Sequence, residues 1–205
     1  IDQFGEWFAI AARAGLPEPT AMAVATASAD GLPNVRMLLL KGYDQRGFVF
    51  YTNLASPKAA ELAANPRAAL CFYWNQIGRQ VRVTGPVEKV TDAEADTYFA
   101  SRPRLSQLGA WASHQSQPMA DSFELERNCA AAALRFGVGA VPRPPGWSGY
   151  RVVPATMEFW HEKPFRLHER VRFTRLDGVW SSTTLWTTFE AEDGRVALPP
   201  DPADA

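Results

Sequence analysis

Three nitrogen-rich side chains stand at alternate positions near the C-terminal part of the chain, in the run Arg166-Leu167-His168-Glu169-Arg170. If this segment is a strand, alternation places Arg166, His168 and Arg170 on one face. Histidine titrates near neutral pH, and arginine stays charged while offering two donors to a carboxylate or phosphate. Such a face suits an anionic substrate that undergoes proton or hydride chemistry. An exposed edge strand with solvated charges would give the same pattern.

A second candidate for anion binding begins at Ser56, where Ser56-Pro57-Lys58 precedes a run of good helix formers. Serine is a favourable N-cap, and proline is favoured at the first helical position. The unpaired amide groups and the positive dipole end of a helix N-terminus attract anions, and Lys58 would add a full charge there. This combination suits a phosphate group.

A third candidate consists of Tyr98, Arg102 and Ser106, which are spaced four residues apart. This spacing stacks side chains on one face of a helix. A phenol, a guanidinium and a hydroxyl are all donors that a phosphate accepts. Pro103 disfavours helical geometry at the residue before it, so we do not expect one continuous helix through Ser106.

The composition limits the classes to which the chain can belong. Its 205 residues are 46% hydrophobic, 12% aromatic and 21% charged, which is typical of a globular protein with a substantial core. The net charge of −1 argues against general nucleic-acid binding. No apolar run approaches the ~20 residues of a membrane span and no signal peptide opens the chain, so we expect a cytoplasmic protein that does not bind membranes. Because the first residue is Ile1, we also expect a missing N-terminal segment.

The cysteines and histidines do not predict a metal site. Cys71 and Cys129 show no CxxC spacing, and His114, His161 and His168 lack an HExxH pattern or a companion cysteine cluster. We expect no bound metal and two reduced thiols.

The elements that must position these side chains are predicted to be mainly strands with flanking helices. Alternating runs separated by turn residues predict an antiparallel meander over the first three strands. Thr91 with Glu94 predicts a capping box, and Asp177-Gly178 predicts the last hairpin turn. The predicted helices span residues 2–15, 91–101 and 119–136, with another starting at 57; the predicted strands span 21–28, 34–41, 48–52, 67–74, 79–90, 150–153 and 157–160.

Motifs distributed over residues 21–185 together resemble one family. Glu158-Phe159-Trp160 followed by residues 166–170 closely resembles the C-terminal signature of the pyridoxamine/pyridoxine 5′-phosphate oxidase family. Residues 36–41 resemble the first motif that binds flavin mononucleotide (FMN) in that family, and residues 101–116 match it nearly position by position.

The resemblance implies a single domain over residues 1–205 with the FMN-binding split β-barrel fold, an antiparallel α+β architecture of Greek-key type. It implies FMN-dependent oxidation of pyridoxine or pyridoxamine 5′-phosphate to pyridoxal 5′-phosphate. Molecular oxygen would be the acceptor and hydrogen peroxide the second product. It further implies a homodimer with FMN at the subunit interface.

The resemblance also implies roles for particular residues. Arg166 and His168 would be catalytic. The cofactor would contact Arg36, Met37, Leu38, Leu39, Leu40, Lys41, Tyr51, Thr52, Lys58, Gln80, Gln115, Ser116, Trp160 and Arg170. The substrate would contact Lys41, Tyr98, Arg102, Ser106, Arg166, Leu167 and His168.

The chain departs from the family pattern at two places. Pro57 stands where the family usually has arginine, and Thr184 stands where it has arginine near its terminus. Residues 186–205 diverge, and their Pro, Asp and Ala content predicts a mobile tail. Two alternatives remain: a phenazine-pathway flavin oxidase of the same fold, and a flavin- or pyridoxal-phosphate-binding protein without catalysis. Retention of Tyr98, Arg102 and Ser106 argues against the first, because a substrate without phosphate does not need them.

Overall fold

The computed structural model describes residues 1–187, in which ten antiparallel strands form one curled sheet flanked by five α-helices. The strands are β1 (Ala21–Ala27), β2 (Pro33–Leu39), β3 (Gly42–Asp44), β4 (Gly47–Asn53), β5 (Arg67–Trp74), β6 (Arg79–Lys89), β7 (Trp147–Val152), β8 (Thr156–His161), β9 (Glu169–Leu176) and β10 (Val179–Thr184). The helices are α1 (Asp2–Arg13), α2 (Pro57–Ala64), α3 (Asp92–Ser101), α4 (Arg104–Ala112) and α5 (Glu124–Phe136). The predicted mainly β architecture with flanking helices is confirmed.

The hydrophobic core lies between α1 and the concave side of the sheet. Phe4 of α1 is fully buried, and its ring meets those of Phe48 and Phe72 at 4.8 and 5.0 Å between centroids. Burying one such side chain contributes about 1.5–3 kcal/mol. Helix α1 ends at Arg13, and Gly15 adopts a φ of +72°, which confirms the predicted stop. The helix therefore closes the open side of the curled sheet.

The predicted meander is correct for its first hairpin and wrong for its third strand. β1 pairs with β2, whereas β4 pairs with β3 and β7 and does not continue the β1–β2 ladder. The short strand β3 was not predicted, because three residues carry too little periodicity. The contact between β4 and β7 joins parts of the chain about a hundred residues apart, which local patterning does not show.

The long strand β6 connects the two parts of the barrel. Its residues 79–86 pair with β5, its residues 79–84 also pair with β8, and its residues 87–89 pair with β7. Gly85 lies at the change of partner, where a Cβ would sit 1.9 Å from the carbonyl oxygen of Val153. Only glycine permits this approach, so Gly85 allows the sheet to curl.

The predicted strand through residues 166–170 is wrong. Pro164 opens a short 3-10 turn that ends at Arg166, and both Phe165 and Arg166 have positive φ values of 58° and 56°. Left-handed residues interrupt the alternation of an extended chain. Arg170 therefore lies in β9, whereas His168 precedes the strand, and the expected single face does not form.

Two other predicted boundaries are corrected. Helix α5 begins at Glu124, five residues after the predicted start, because residues 119–123 form bends and turns. Strand β7 begins at Trp147 and not at Tyr150. In the part of the chain that the structure describes, no helix is long and apolar enough to cross a membrane. Most of the predicted tail, residues 188–205, lies outside the described residues.

Candidate functional site

The buried lysine cluster consists of Thr52, Lys58 and Gln115. Lys58 is 6% exposed, and its Nζ donates to Thr52 Oγ1 at 3.1 Å and to Gln115 Oε1 at 3.3 Å. Within residues 1–187 it forms no ion pair with a carboxylate. Burial lowers the pKa of Lys58, and the charge of Arg36 lowers it further against the opposing effect of Glu61. A buried ammonium with only neutral partners is suited to receive an anion.

Three different elements bring this cluster together. Thr52 lies on β4, Lys58 in the first turn of α2, and Gln115 in the loop after α4. Pro57 occupies the first helical position, as predicted, and Ser56 is the N-cap residue. Its hydroxyl does not cap the helix, however, because it donates to the carbonyl of Asn53 at 2.7 Å.

Arg36 stands on the core side of β2, close to α2. It is opposite the buried Val24 in the β1–β2 register, and its guanidinium pairs with Glu61 at 3.1 Å. It also donates to Thr26, whose hydroxyl bonds to Glu61 in turn. Arg36 is thus held by a carboxylate, and the unpaired positive charge beside it is that of Lys58.

An aromatic stack of Tyr51, Tyr98 and Trp147 forms the wall next to the buried lysine cluster. Tyr51 lies nearly parallel to both other rings, at 4.1 Å from Tyr98 and 5.1 Å from Trp147 between centroids. The Cζ of Arg102 lies 4.9 Å from the centre of the Trp147 ring, within cation–π distance. The stack therefore fixes the end of α3, where Tyr98 and Arg102 stand.

One cavity of about 350 Å³, the Arg102 cavity, joins two predicted groups. It is lined by Arg102 and Ser106 from the predicted substrate set and by Thr52 and Gln115 from the predicted cofactor set. Among the residues that the structure describes, the Nη1 of Arg102 is buried and has no hydrogen-bond partner. Burial lowers the pKa of Arg102 from its ordinary value. Helix α3 ends at Ser101 and α4 begins at Arg104, so the predicted break at Pro103 is confirmed.

A neighbouring cavity of about 560 Å³, the Lys41 cavity, is lined by two more of the predicted substrate residues. Lys41 and Tyr98 line it together with Arg46, Glu94 and Arg151. Both arginines are paired with carboxylates there, whereas Lys41 forms no ion pair within residues 1–187. Four residues of the predicted substrate set are thus divided between two cavities, on either side of the Tyr51–Tyr98 contact, whereas Arg166, Leu167 and His168 line neither cavity.

A row of three predicted cofactor residues crosses the outer face of the sheet. Gln80 of β6 is opposite Trp160 of β8, which is opposite Arg170 of β9. The ring of His168 lies 4.8 Å from that of Trp160. His168 Nδ1 accepts the backbone N–H of Lys163 at 3.2 Å, so a neutral ring carries its proton on Nε2. None of these side chains lines the Lys41 or the Arg102 cavity.

The same outer face contains an ionic cluster that the sequence did not reveal. Glu158 is 6% exposed and accepts bonds from Arg170 at 2.7 Å and from Arg172 at 2.8 Å, with Arg82 at 3.5 Å. Burial raises the pKa of Glu158, but the hydrogen bonds from Arg170 and Arg172 outweigh this effect and leave it below the ordinary value. The three arginines come from two strands, Arg82 from β6 and both Arg170 and Arg172 from β9, and only the strand register brings them to one carboxylate.

Residues 36–41 do not all face one ligand. Met37 is 64% exposed, Leu38 and Leu39 are partly buried, and Leu40 is 4% exposed within the core. The side chain of Leu40 therefore packs and does not line a cavity. β2 ends at Leu39, so Lys41 lies beyond the strand.

The remaining predicted residues lie in turns. Ser116 has a φ of 67° and, with Gln115, lines a small cavity of about 180 Å³. Arg166 and Leu167 are exposed. Within residues 1–187 no group of three or more His, Cys, Asp or Glu side chains is placed to hold a metal ion.

The fold and these clusters together define a class of protein. A crystal structure of PhzG from Burkholderia lata, in complex with tetrahydrophenazine-1-carboxylic acid, superposes with a TM-score of 0.86 at 35% identity over 91% of each chain. A pyridoxamine 5′-phosphate oxidase-related, FMN-binding protein from Nostoc punctiforme shares the fold, with a TM-score of 0.74 at 17% identity, covering 89% of this chain and 96% of that one. The chain is a split β-barrel protein of this structural class.

The family follows from the sequence comparisons. Residues 8–135 match the model of the pyridoxamine 5′-phosphate oxidase family, and residues 147–187 match that of the pyridoxine 5′-phosphate oxidase C-terminal dimerisation region. Pyridoxine/pyridoxamine 5′-phosphate oxidases from Nitrobacter hamburgensis and Caulobacter vibrioides are each 57% identical, over 89% of this chain and 87% and 82% of their own lengths. The chain belongs to the pyridoxamine 5′-phosphate oxidase family.

Proposed function

We propose that this protein is an FMN-dependent oxidase that converts pyridoxamine 5′-phosphate and pyridoxine 5′-phosphate to pyridoxal 5′-phosphate, with oxygen as acceptor and hydrogen peroxide as product. The 57% identity to named oxidases over most of the chain supports this activity. The structural observation that carries it is the contact of Thr52, Lys58 and Gln115. Thr52 and Gln115, which lie 63 positions apart, both contact the buried ammonium group of Lys58, and this group forms no ion pair within residues 1–187.

The residues present fit FMN. Thr52, Lys58 and Gln115 would hold its phosphate through charge-assisted and neutral hydrogen bonds. Gln80 and Trp160 would lie against its ring system, where Gln80 supplies an amide group. When bound, FMN would supply the two-electron redox chemistry that links oxidation of the substrate to reduction of oxygen.

The substrate phosphate would bind at the end of α3. Arg102 has a buried Nη1 without a partner, and Lys41 is a cation without a carboxylate partner in the part of the chain that is described. Tyr98 stands between them, and Ser106 adds a hydroxyl in the Arg102 cavity. A doubly charged phosphate would satisfy these donors together, whereas a neutral ligand would leave Arg102 unpaired.

Arg166 and His168 would act on the substrate ring. The contact of His168 with Trp160 and with the backbone of Lys163 fixes the imidazole, so that Nε2–H can donate to a ring substituent. Arg166 precedes it in a turn with left-handed backbone, which would aim the guanidinium toward the same ligand. Leu167 between them would limit the space for the substrate.

We further propose that two copies complete each site at their interface, within a single domain over residues 1–205. Lys58 and Arg36 lie on the side of the sheet that faces α2, whereas Gln80, Trp160 and Arg170 lie on its outer face. One FMN molecule could contact both sets if the outer face of one copy covered the cavities of the other. The match of residues 147–187 to a dimerisation region supports this arrangement.

The test is direct. The purified protein should be yellow, release FMN on denaturation, and consume oxygen with pyridoxamine 5′-phosphate but not with unphosphorylated pyridoxamine at the same concentration. Arg166→Ala and His168→Ala should each lower kcat at least tenfold while FMN content remains near one per chain. A yellow protein that oxidises only a phosphate-free tricyclic acid would identify a phenazine-type oxidase instead. FMN binding without any oxidation would identify a non-catalytic flavoprotein.

A further inference from the structure

Glu94 is a carboxylate whose two oxygens serve different elements. Its Oε2 accepts the backbone N–H of Thr91 at 3.0 Å, while the hydroxyl of Thr91 accepts the backbone N–H of Glu94 at 3.2 Å. These bonds form the predicted capping box at the start of α3. The Oε1 of Glu94 instead accepts Arg151 Nη2 at 2.7 Å and lies 3.0 Å from Arg46 Nη2. The side chain that caps α3 therefore also links the helix to Arg151 and Arg46, and the contact between Glu94 and Arg151 is called the tie below.

Arg151 is the fixed side of this tie. It lies on β7, its side chain is 5% exposed, and its other ion pair is to Glu88 at 3.3 Å. A buried guanidinium cannot move without losing these bonds, and truncating one partner of such a pair is strongly destabilising. The strand therefore determines where the first turn of α3 lies.

The tie acts on the residues at the other end of the same helix. Tyr98 follows Glu94 by one helical turn on the same face, and the Tyr51 hydroxyl reaches the carbonyl oxygen of Glu94 at 3.5 Å. Arg102 follows one turn later as the C-terminal boundary residue of α3. Because a helix moves as a rigid rod over such a length, a shift at Glu94 would displace both phosphate donors.

We propose that Glu94 is a positioning residue for phosphate recognition: by joining the cap of α3 to Arg151 on β7, it holds Tyr98 and Arg102 in register with Lys41. This inference rests on the proposed function, since it assigns the substrate phosphate to those donors. Glu94 itself does not contact the substrate in this assignment. The carboxylate of Glu94 would repel the substrate phosphate, so Glu94 acts on phosphate binding through the position of α3.

The decisive variant is Glu94→Gln. Thr91 and Arg151 donate to different oxygens of Glu94, and in a glutamine one of these oxygens is replaced by an NH2 group, which cannot accept. The glutamine can therefore keep the capping-box bond only by presenting its NH2 group to the donor Arg151. The matched control is Thr91→Ala, which removes the cap and costs about 0.5–2 kcal/mol of stability yet leaves the Glu94–Arg151 pair in place. Two further variants change the same ion pair from β7. Arg151→Met removes the ion pair with Glu94, whereas Arg151→Lys keeps a positive charge and should partly restore it.

The measurements are KM and kcat of the FMN-loaded enzyme with pyridoxamine 5′-phosphate, and the inhibition constant of inorganic phosphate. Glu94→Gln and Arg151→Met should raise KM and the phosphate constant together, at least fivefold, with kcat within about twofold of the parent. Arg151→Lys should recover part of the loss. Thr91→Ala should leave both constants within twofold, although it lowers the melting temperature.

Two results would overturn the inference. Unchanged constants in Glu94→Gln would show that α3 is placed without the tie, and an equal rise in Thr91→Ala would show a general stability effect. If Glu94→Gln does not fold, the Arg151→Lys and Arg151→Met comparison decides by the same criteria. If the parent does not oxidise pyridoxamine 5′-phosphate, the proposed function fails, and calorimetric titration of inorganic phosphate into the same variants still tests the positioning role.

Discussion

Lys58 is a buried cation that forms no ion pair with a carboxylate within residues 1–187. Its partners are the hydroxyl of Thr52 and the amide oxygen of Gln115, which solvate an ammonium group less well than water does. The protein thus carries a desolvation cost at this position, and a bound anion would offset it. At the residue scale, this imbalance is the clearest sign of a ligand in the molecule.

Replacing Lys58 with methionine should weaken FMN binding and leave the flavin-free protein at least as stable as its parent. A charge-assisted hydrogen bond contributes about 1.5–3 kcal/mol, so we expect a loss of roughly ten- to hundredfold in affinity. Titration of FMN into both flavin-free proteins, followed by flavin fluorescence, measures this change, and thermal unfolding measures the stability. Arg36→Met is the contrasting variant, because it removes the ion pair of Glu61 and should lower the stability of the flavin-free protein. If Lys58→Met bound FMN as tightly as the parent, Lys58 would not be part of the cofactor site.

Pro57 gives a second prediction at the residue scale. It is exposed at the first position of α2, directly before Lys58, where the family usually has arginine. Pro57→Arg should tighten FMN about tenfold, equivalent to ~1.4 kcal/mol, by adding a cation near the phosphate. The loss of proline should lower the stability of the flavin-free protein by roughly 0.4–1 kcal/mol. Pro57→Ala, which loses the proline without adding a charge, separates the two effects. Equal affinities in Pro57→Arg and the parent would mean that Lys58 already satisfies the phosphate.

At the scale of the element, α3 illustrates how one side chain can begin a helix and also place it. The pKa of Glu94 is lowered to about 2, first by the hydrogen bond from Arg151 and then by that from the Thr91 backbone. A carboxyl group whose pKa is lower in the folded state stabilises the fold above its unfolded pKa. That contribution is lost as the pH falls through the folded pKa. The relevant window runs from the ordinary 4.5 down to about 2.

The acid dependence of unfolding should therefore differ between the parent and Glu94→Gln. Between pH 4.5 and about 2, the free energy of unfolding of the parent should fall more steeply, so that the two proteins approach each other at the acid end. Above pH 4.5 their difference should be constant. Urea unfolding at several pH values and one protein concentration measures this, with Asp177→Asn on the exposed β9–β10 turn as a control for the removal of one carboxylate charge. If the free energies of unfolding of the two proteins had the same pH dependence, the pKa of Glu94 would not be lowered by bonds formed on folding.

At the scale of the whole molecule, the outer face of the sheet exposes apolar side chains to solvent. The edge strand β2 exposes Val35 and Met37, each 64% accessible, and Tyr73 on β5 is 60% accessible. Register continues this face from Met37 through Ala23 to Cys71 and on to the Glu158 cluster. An exposed edge with apolar side chains is prone to uncontrolled association unless a partner covers it. A second copy of the chain would cover it.

Placing a charge on this face should separate the copies. Met37→Lys should yield a monomer by light scattering and should lose FMN in parallel, because each proposed site needs both chains. Leu134→Lys is the matched control, since Leu134 is 86% exposed on α5, away from the sheet, and this variant should remain a dimer with bound flavin. A dimeric Met37→Lys protein with full FMN content would place the interface elsewhere.

The sequence alone determined what depends on near neighbours. The capping box at Thr91, proline at the start of α2, the break at Pro103 and the last hairpin turn are all set within a few residues, where backbone sterics and local hydrogen bonds decide. The family resemblance supplied the fold and the candidate residues in the same way, through short motifs. It could not show how those residues are shared between two cavities and an outer face.

Tertiary structure alone decided the contacts between distant segments. Glu94 contacts Arg151 across 57 positions and Lys58 contacts Gln115 across the same separation, while Glu158 contacts three arginines from the two strands that flank its own. The predicted strand at Arg166 failed because Phe165 and Arg166 adopt left-handed backbone in the turn after Pro164, which the alternation of side chains does not reveal. Such pairings depend on register and on the curl of the sheet, which only the folded chain defines.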